Sequence, residues 1–115
     1  LACSVANASI DLLLQSDWQN QVRTIECTFK SKLQQLQSLE IVADVRCVGA
    51  IAVVELKSDS YTQMIQNECV QQGVWIRPFG KLIYSIVAYT VTKKEQNKII
   101  NAMIFAIQKA NLKYN

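Results

Sequence analysis

The spacing of hydrophobic positions alternates between helical and strand periods, and each switch marks an element. Residues 2–14 are rich in Ala and Leu and predict a helix. Ser16 then stands three residues before Gln19, in the pattern of a capping box. After it, Trp18, Val22, Ile25, Phe29, Leu33 and Leu36 recur at steps of three and four. That spacing predicts an amphipathic helix of about five turns, with Gln, Lys and Glu on its other face. The period then drops to two. Ile41, Ala43, Val45 and Cys47 alternate with Val42, Asp44, Arg46 and Val48, which predicts a strand with one buried face. Gly49 breaks it. Residues 50–56 form a second, more apolar strand, paired with the first as a hairpin or through a bulge at Gly49.

Ser60 and Gln63 give a second capping-box signal, opening a helix that runs to Gln72 and stops at Gly73. Residues 74–77 predict a short strand. Pro78-Phe79-Gly80-Lys81 is a turn, because Pro presets φ and Gly is free to take φ > 0. Residues 82–89 predict a further strand. Thr92, with Glu95 three residues on, caps a last helix whose apolar stripe is Ile99, Ile100, Met103, Ile104 and Ile107. The order is ααββαββα. The fold class is α+β: a small, mostly antiparallel sheet of about four strands with helices packed on one face.

Composition narrows the chemistry. The chain has 115 residues, which suits one domain with a core of its own. Its net charge of +3 includes only three arginines, and the lysines scatter apart from Lys93 and Lys94. That is not the concentrated basic face of a nucleic-acid binder. No apolar run approaches the roughly 20 residues that span a bilayer. Cys3, Cys27, Cys47 and Cys69 form no C-x-x-C pair and match no zinc spacing, so they read as reduced, small core hydrophobes. The chain has no His, which excludes a Ser-His triad and His-ligated zinc within it. Its three glycines lie apart, which excludes a P-loop or a G-x-G-x-x-G turn. The chain begins at Leu1 and not at Met, which suggests a piece of something longer.

Candidate chemistry then rests on few side chains. Arg77 follows three apolar residues and precedes a rigid turn, so it is either paired structurally or aimed at a ligand. Composition alone favours the ion pair, although a guanidinium fork suits a carboxylate ligand equally well. Tyr84, on the next strand, could place its hydroxyl near the same spot, or simply pack. Asp44 and Arg46 share a strand face, where a salt bridge or an interface contact is expected. Glu55 meets solvent or a Lys. No carboxylate pair sits isolated in apolar surroundings, and no Ser or Thr has the neighbours of a nucleophile.

One longer string is more specific. Gly73-Val74-Trp75-Ile76-Arg77-Pro78-Phe79-Gly80-Lys81-Leu82-Ile83-Tyr84 resembles the C-terminal motif of the adenosylmethionine–8-amino-7-oxononanoate aminotransferase family, a class III pyridoxal-phosphate family. Leu1-Ala2-Cys3 with Ala6-Asn7-Ala8-Ser9, then Asp17-Trp18-Gln19, Val42-Ala43-Asp44-Val45-Arg46, Gly49-Ala50-Ile51 and Val53-Val54-Glu55 extend the resemblance over nearly the whole chain. It implies the C-terminal portion of a fold-type I enzyme. Residues 1–38 would be two helices linking from a large domain, and residues 39–115 the small α+β domain. The implied reaction moves an amino group from S-adenosylmethionine to 8-amino-7-oxononanoate, in a cytoplasmic homodimer. Arg77 maps to the residue that binds the substrate carboxylate, and Phe79 and Tyr84 to pocket-lining residues. The resemblance thus reverses the balance at Arg77.

The same resemblance places the Schiff-base Lys, the partner of the pyridinium nitrogen and the phosphate-binding residues upstream of Leu1. Pyridoxal 5'-phosphate would be bound there, and the chain alone is expected to be inactive. No catalytic, cofactor-binding or metal residue is assigned within it. Two departures stand out: Ser85-Ile86-Val87-Ala88 replaces a proline-containing stretch, and Ala52 stands where Gly is common. The alternatives are another class III aminotransferase, acting on ornithine or an ω-amino acid, and a stand-alone α+β binding or dimerisation module.

Overall fold

A computed structural model of the chain describes residues 1–114. Its sheet has three antiparallel strands in the order β1 (Val42–Val48), β2 (Ile51–Leu56), β3 (Leu82–Ile86). Cys47, Ala52 and Ser85 lie in register across it, as do Val45, Val54 and Ile83. These residues face the core. Asp44, Glu55 and Leu82 line up on the opposite face, beside the row Arg46, Val53, Tyr84. Gly49 and Ala50 form a two-residue loop between Val48 and Ile51. Gly49 takes φ +57° at the first loop position, where a II′ hairpin needs Gly. A Cβ there would also come within 3.1 Å of Val22 Cγ1 on the neighbouring helix.

Three strand expectations are corrected. The clean alternation in β1 fails at Ala43, because the register shifts between Val42 and Asp44. This bulge leaves Ile41 and Val42 both buried and turns Ala43 out to solvent. The predicted fourth strand over residues 74–77 does not form. Burial does alternate there, with Val74 and Ile76 inside and Trp75 and Arg77 outside, yet no strand lies alongside to complete a ladder. The last strand is also shorter than predicted and ends at Ile86.

Four α-helices accompany the sheet: α1 (Ala2–Gln15), α2 (Trp18–Leu33), α3 (Thr62–Gln71) and α4 (Lys93–Tyr114). The predicted five-turn second helix stops at Leu33, and a 3-10 turn over Gln34–Ser38 carries its stripe on to Leu36. Ile25, Phe29, Leu33 and Leu36 from this stretch meet Ile100, Met103, Ala106, Ile107 and Ala110 of α4 in one core with Val54, Leu56 and Ile83 of the sheet. Fully burying each large aliphatic or aromatic side chain contributes about 1.5–3 kcal/mol.

The caps sort unevenly. Thr92 and Glu95 make the predicted reciprocal box: Glu95 N–H donates to Thr92 Oγ1 at 3.1 Å, and Thr92 N–H to Glu95 Oε2 at 3.0 Å. The boxes at Ser16 and Ser60 are not made. Ser16 instead donates its hydroxyl to Leu13 O, closing α1, and Ser60 bonds to Ser58. Gly73, at φ +78°, ends α3 as predicted. Its N–H donates to Val70 O and that of Val74 to Cys69 O, the paired bonds of a Schellman motif.

α1 contributes nothing to the core. All of its residues are exposed, including Val5, Ile10, Leu12, Leu13 and Leu14. The cysteines divide: Cys47 and Cys69 are buried, whereas Cys3 and Cys27 are exposed, so only two of the four act as core hydrophobes. Among the described residues no helix is long and apolar enough to cross a membrane.

Candidate substrate-binding segment

Residues 74–82 leave the end of α3 and run to the start of β3. The Schellman motif fixes their entry at Val74. Val74 and Ile76 anchor the segment by burial. Gln66 on α3 donates its Nε2 to Ile76 O at 3.1 Å, and Thr62 donates its Oγ1 to Gly80 O at 3.1 Å. Phe79 and Leu82 exchange backbone hydrogen bonds of 3.0 and 2.8 Å around Gly80, which takes φ +54°. Leu56 N–H on β2 donates to Lys81 O at 2.8 Å. A stretch without a ladder is therefore tied to α3 on one side and to β2 on the other.

Its alternation directs Trp75, Arg77 and Phe79 away from the core, and all three are exposed. Arg77 has neither a hydrogen bond nor an ion pair to any described residue. The salt-bridge reading of Arg77 finds no partner among the described residues. The sheet carboxylates Asp44 and Glu55 are engaged by other cations. Arg46 Nη1 donates to Asp44 Oδ2 at 2.7 Å and to Glu55 Oε2 at 2.8 Å. Lys81 Nζ lies 3.2 Å from Glu55 Oε1. Arg46 foremost, then Lys81, holds the Glu55 carboxyl below its usual range. Glu55 is thus saturated by two cations, and the Asp44–Arg46 and Glu55–Lys pairings read from sequence are present.

Phe79 pairs with Leu82, and Tyr84 follows two residues later, so both sit on one short hairpin. Tyr84 is half-buried and lies opposite Val53 of β2. The expected pairing of Tyr84 across to a 74–77 strand is absent, for want of that strand. Phe79 is 74% exposed. Arg77 and Phe79 are thus open to solvent, and Tyr84 is partly so. A shallow cleft of about 460 Å³ lies between α3 and Trp75 of the segment, and two others lie away from it. One, of about 430 Å³, separates α2 from the start of α4, near the stacked rings of Trp18 and Tyr89.

The lysines do not suit a Schiff base, which wants a desolvated amine. None of the nine is buried. Lys81 and Lys109 are engaged with Glu55 and Glu68, Lys32 bonds to Asn97, and Lys30 pairs with Glu26, which pushes its ammonium pKa up. The described residues thus hold no fully buried lysine amine. They contain no group of three or more His, Cys, Asp or Glu placed to hold a metal. Gln66 and Thr62, which hold the segment, went unnoticed in the sequence. Each is one polar residue on a Gln-rich helix, and no local pattern marks its partner ten or more positions away.

Comparisons with known proteins cover almost the whole chain. The family model for Aminotransferase class-III matches residues 1–107. An adenosylmethionine-8-amino-7-oxononanoate aminotransferase of Buchnera aphidicola subsp. Acyrthosiphon pisum is 41% identical over 112 residues, covering 97% of this chain and 26% of its own length. The protein of that name from Corynebacterium glutamicum is 38% identical over 108 residues, covering 94% and 26%. The chain thus spans about a quarter of the length of the curated relatives it matches. A solved structure titled "Transaminase with L-ala" superposes with a TM-score of 0.86 at 18% identity, over 99% of this chain and 30% of its own. A PLP-bound aminotransferase mutant from Vibrio fluvialis gives 0.85 at 18%, over 96% and 27%. At such identities these superpositions speak for the fold.

Proposed function

Because the chain belongs to the class III aminotransferases, we propose that it is the C-terminal part of an enzyme transferring an amino group from S-adenosylmethionine to 8-amino-7-oxononanoate. The product would be 7,8-diaminononanoate. The names of the relatives at 38% and 41% identity support these substrates. The chain's own share in this reading is substrate binding. The observation that carries it is Arg77: an exposed guanidinium, free of any partner among the described residues, on a segment tied at both sides.

In this reading Arg77 takes the carboxylate of the keto substrate in a bidentate grip. Phe79 and Tyr84 offer apolar surface to the methylene chain that follows. A long, fatty-acid-like substrate needs one fixed cation at its end and apolar walls along its length. Pyridoxal 5'-phosphate, with its Schiff-base Lys, belongs to an upstream part of the polypeptide, and the whole enzyme acts as a cytoplasmic homodimer. The chain alone is inactive, having no lysine suited to the cofactor.

The test is an amino-donor assay on the complete enzyme. Amino transfer to 8-amino-7-oxononanoate from S-adenosylmethionine is the expected result. Transfer from ornithine or an ω-amino acid, with none from S-adenosylmethionine, would overturn the substrate assignment.

A further inference from the structure

Building on the reading of Arg77 as the carboxylate receptor, we propose that Gln66 is a positioning residue for that guanidinium. Its side-chain amide holds the peptide unit that carries Arg77. The carbonyl that accepts from Gln66 Nε2, at 3.1 Å, is that of Ile76. It belongs to the peptide bond whose nitrogen is Arg77's own. Between the Val74 N–H and the Phe79–Leu82 pair, this is the one hydrogen bond holding the backbone among the described residues. In a strand, the ladder would fix this peptide plane. Here the ladder is missing, and a side chain from α3 takes its place.

The amide that does this is itself oriented. Gln63 Nε2 donates to Gln66 Oε1 at 3.4 Å and to Asn67 Oδ1 at 3.0 Å. The Gln66 oxygen therefore faces Gln63, leaving its NH2 to face Ile76. Gln66 is half-buried, so water competes only partly for the bond. Burial of Val74 and Ile76 fixes where the segment lies. It does not fix the rotation of the peptide between Ile76 and Arg77. That rotation swings the long Arg77 side chain, and displacement of a binding group by about 1 Å can cost on the order of a hundredfold.

The experiment compares Gln66→Met, similar in length but lacking the N–H donor, with Arg77→Lys and with the double variant, all in the complete enzyme. Gln66→Met is expected to raise KM for 8-amino-7-oxononanoate about five- to tenfold, the worth of one anchoring hydrogen bond. KM for S-adenosylmethionine and kcat should stay within about twofold, and in the Arg77→Lys background the added effect should nearly vanish, because the two residues act as one unit. If Gln66→Met does not fold, Gln66→Glu keeps the shape, replaces the donor with an acceptor and carries the same expectation. A joint loss of kcat and of both KM values, tracking a lower Tm, would overturn the proposal in favour of a purely structural role. An unchanged KM in a folded variant, while Arg77→Lys raises it, would remove Gln66 and leave the carboxylate reading standing. An unchanged KM in Arg77→Lys itself would remove both.

Discussion

Cys47 and Cys69 hold their sulfurs inside the core, whereas Cys3 and Cys27 present theirs to solvent. Cys69 donates to Ala102 O at 3.7 Å, and burial pushes its thiol up to about 11. Burial raises Cys47 as well. A folded-state pKa above the unfolded value of 9.0 means that folding favours the neutral thiol. The stability it contributes is complete below pH 9.0 and is lost as pH climbs through about 11. Melting curves from pH 8 to 10.5 should therefore show a steeper fall for the parent chain than for Cys69→Ala; parallel curves would contradict this. An aromatic disulfide reagent at neutral pH should modify Cys3 and Cys27 quickly, and the other two only on unfolding. The division was not legible from the sequence. Each cysteine stands in an apolar neighbourhood, and only the placement of α1 outside the core and of Cys27 on the outer side of α2 separates them.

Among the elements, the most legible were those with a complete local signal. The Thr92–Glu95 box, the stop at Gly73 and the hairpin at Gly49 all formed from neighbours in sequence, whereas the equally local signals at Ser16 and Ser60 went into other bonds. Thr92→Ala should lower stability by about 1 kcal/mol, the usual worth of a capping side chain, read as a lower denaturant midpoint at constant slope. A midpoint unchanged from the parent would show that the box contributes nothing to α4. The fourth strand was illegible for the opposite reason. The alternation Val74, Trp75, Ile76, Arg77 records which side chains are buried, whereas a strand also needs a partner, and α3 occupies that role through Gln66. The bulge at Ala43 belongs with it, since an inserted residue leaves no mark on apolar spacing until its partner strand is known. The partners of Arg46 were foreseeable, as Asp44 and Glu55 share its face across β1 and β2.

At the scale of the molecule, α1 is a helix without a single buried residue in a body 53 Å long. Leu12 and Leu14 on α1, with Val48 and Ile86 on the outer face of the sheet, leave apolar surface open to water. The isolated chain should self-associate, as a mass above 13.0 kDa in light scattering that falls when Leu12 and Leu14 become Ser. A monomer at all concentrations would contradict this. The α+β class and the family were readable over nearly the full length. The count of strands was not, and neither was the freedom of Arg77 from partners among the described residues, because side-chain pairing between elements leaves no local mark. That freedom is what Arg77→Lys in the complete enzyme probes most directly. Keeping the charge but losing the fork should raise KM for 8-amino-7-oxononanoate about tenfold or more, with KM for S-adenosylmethionine unchanged. Unchanged values for both substrates would contradict the role of Arg77.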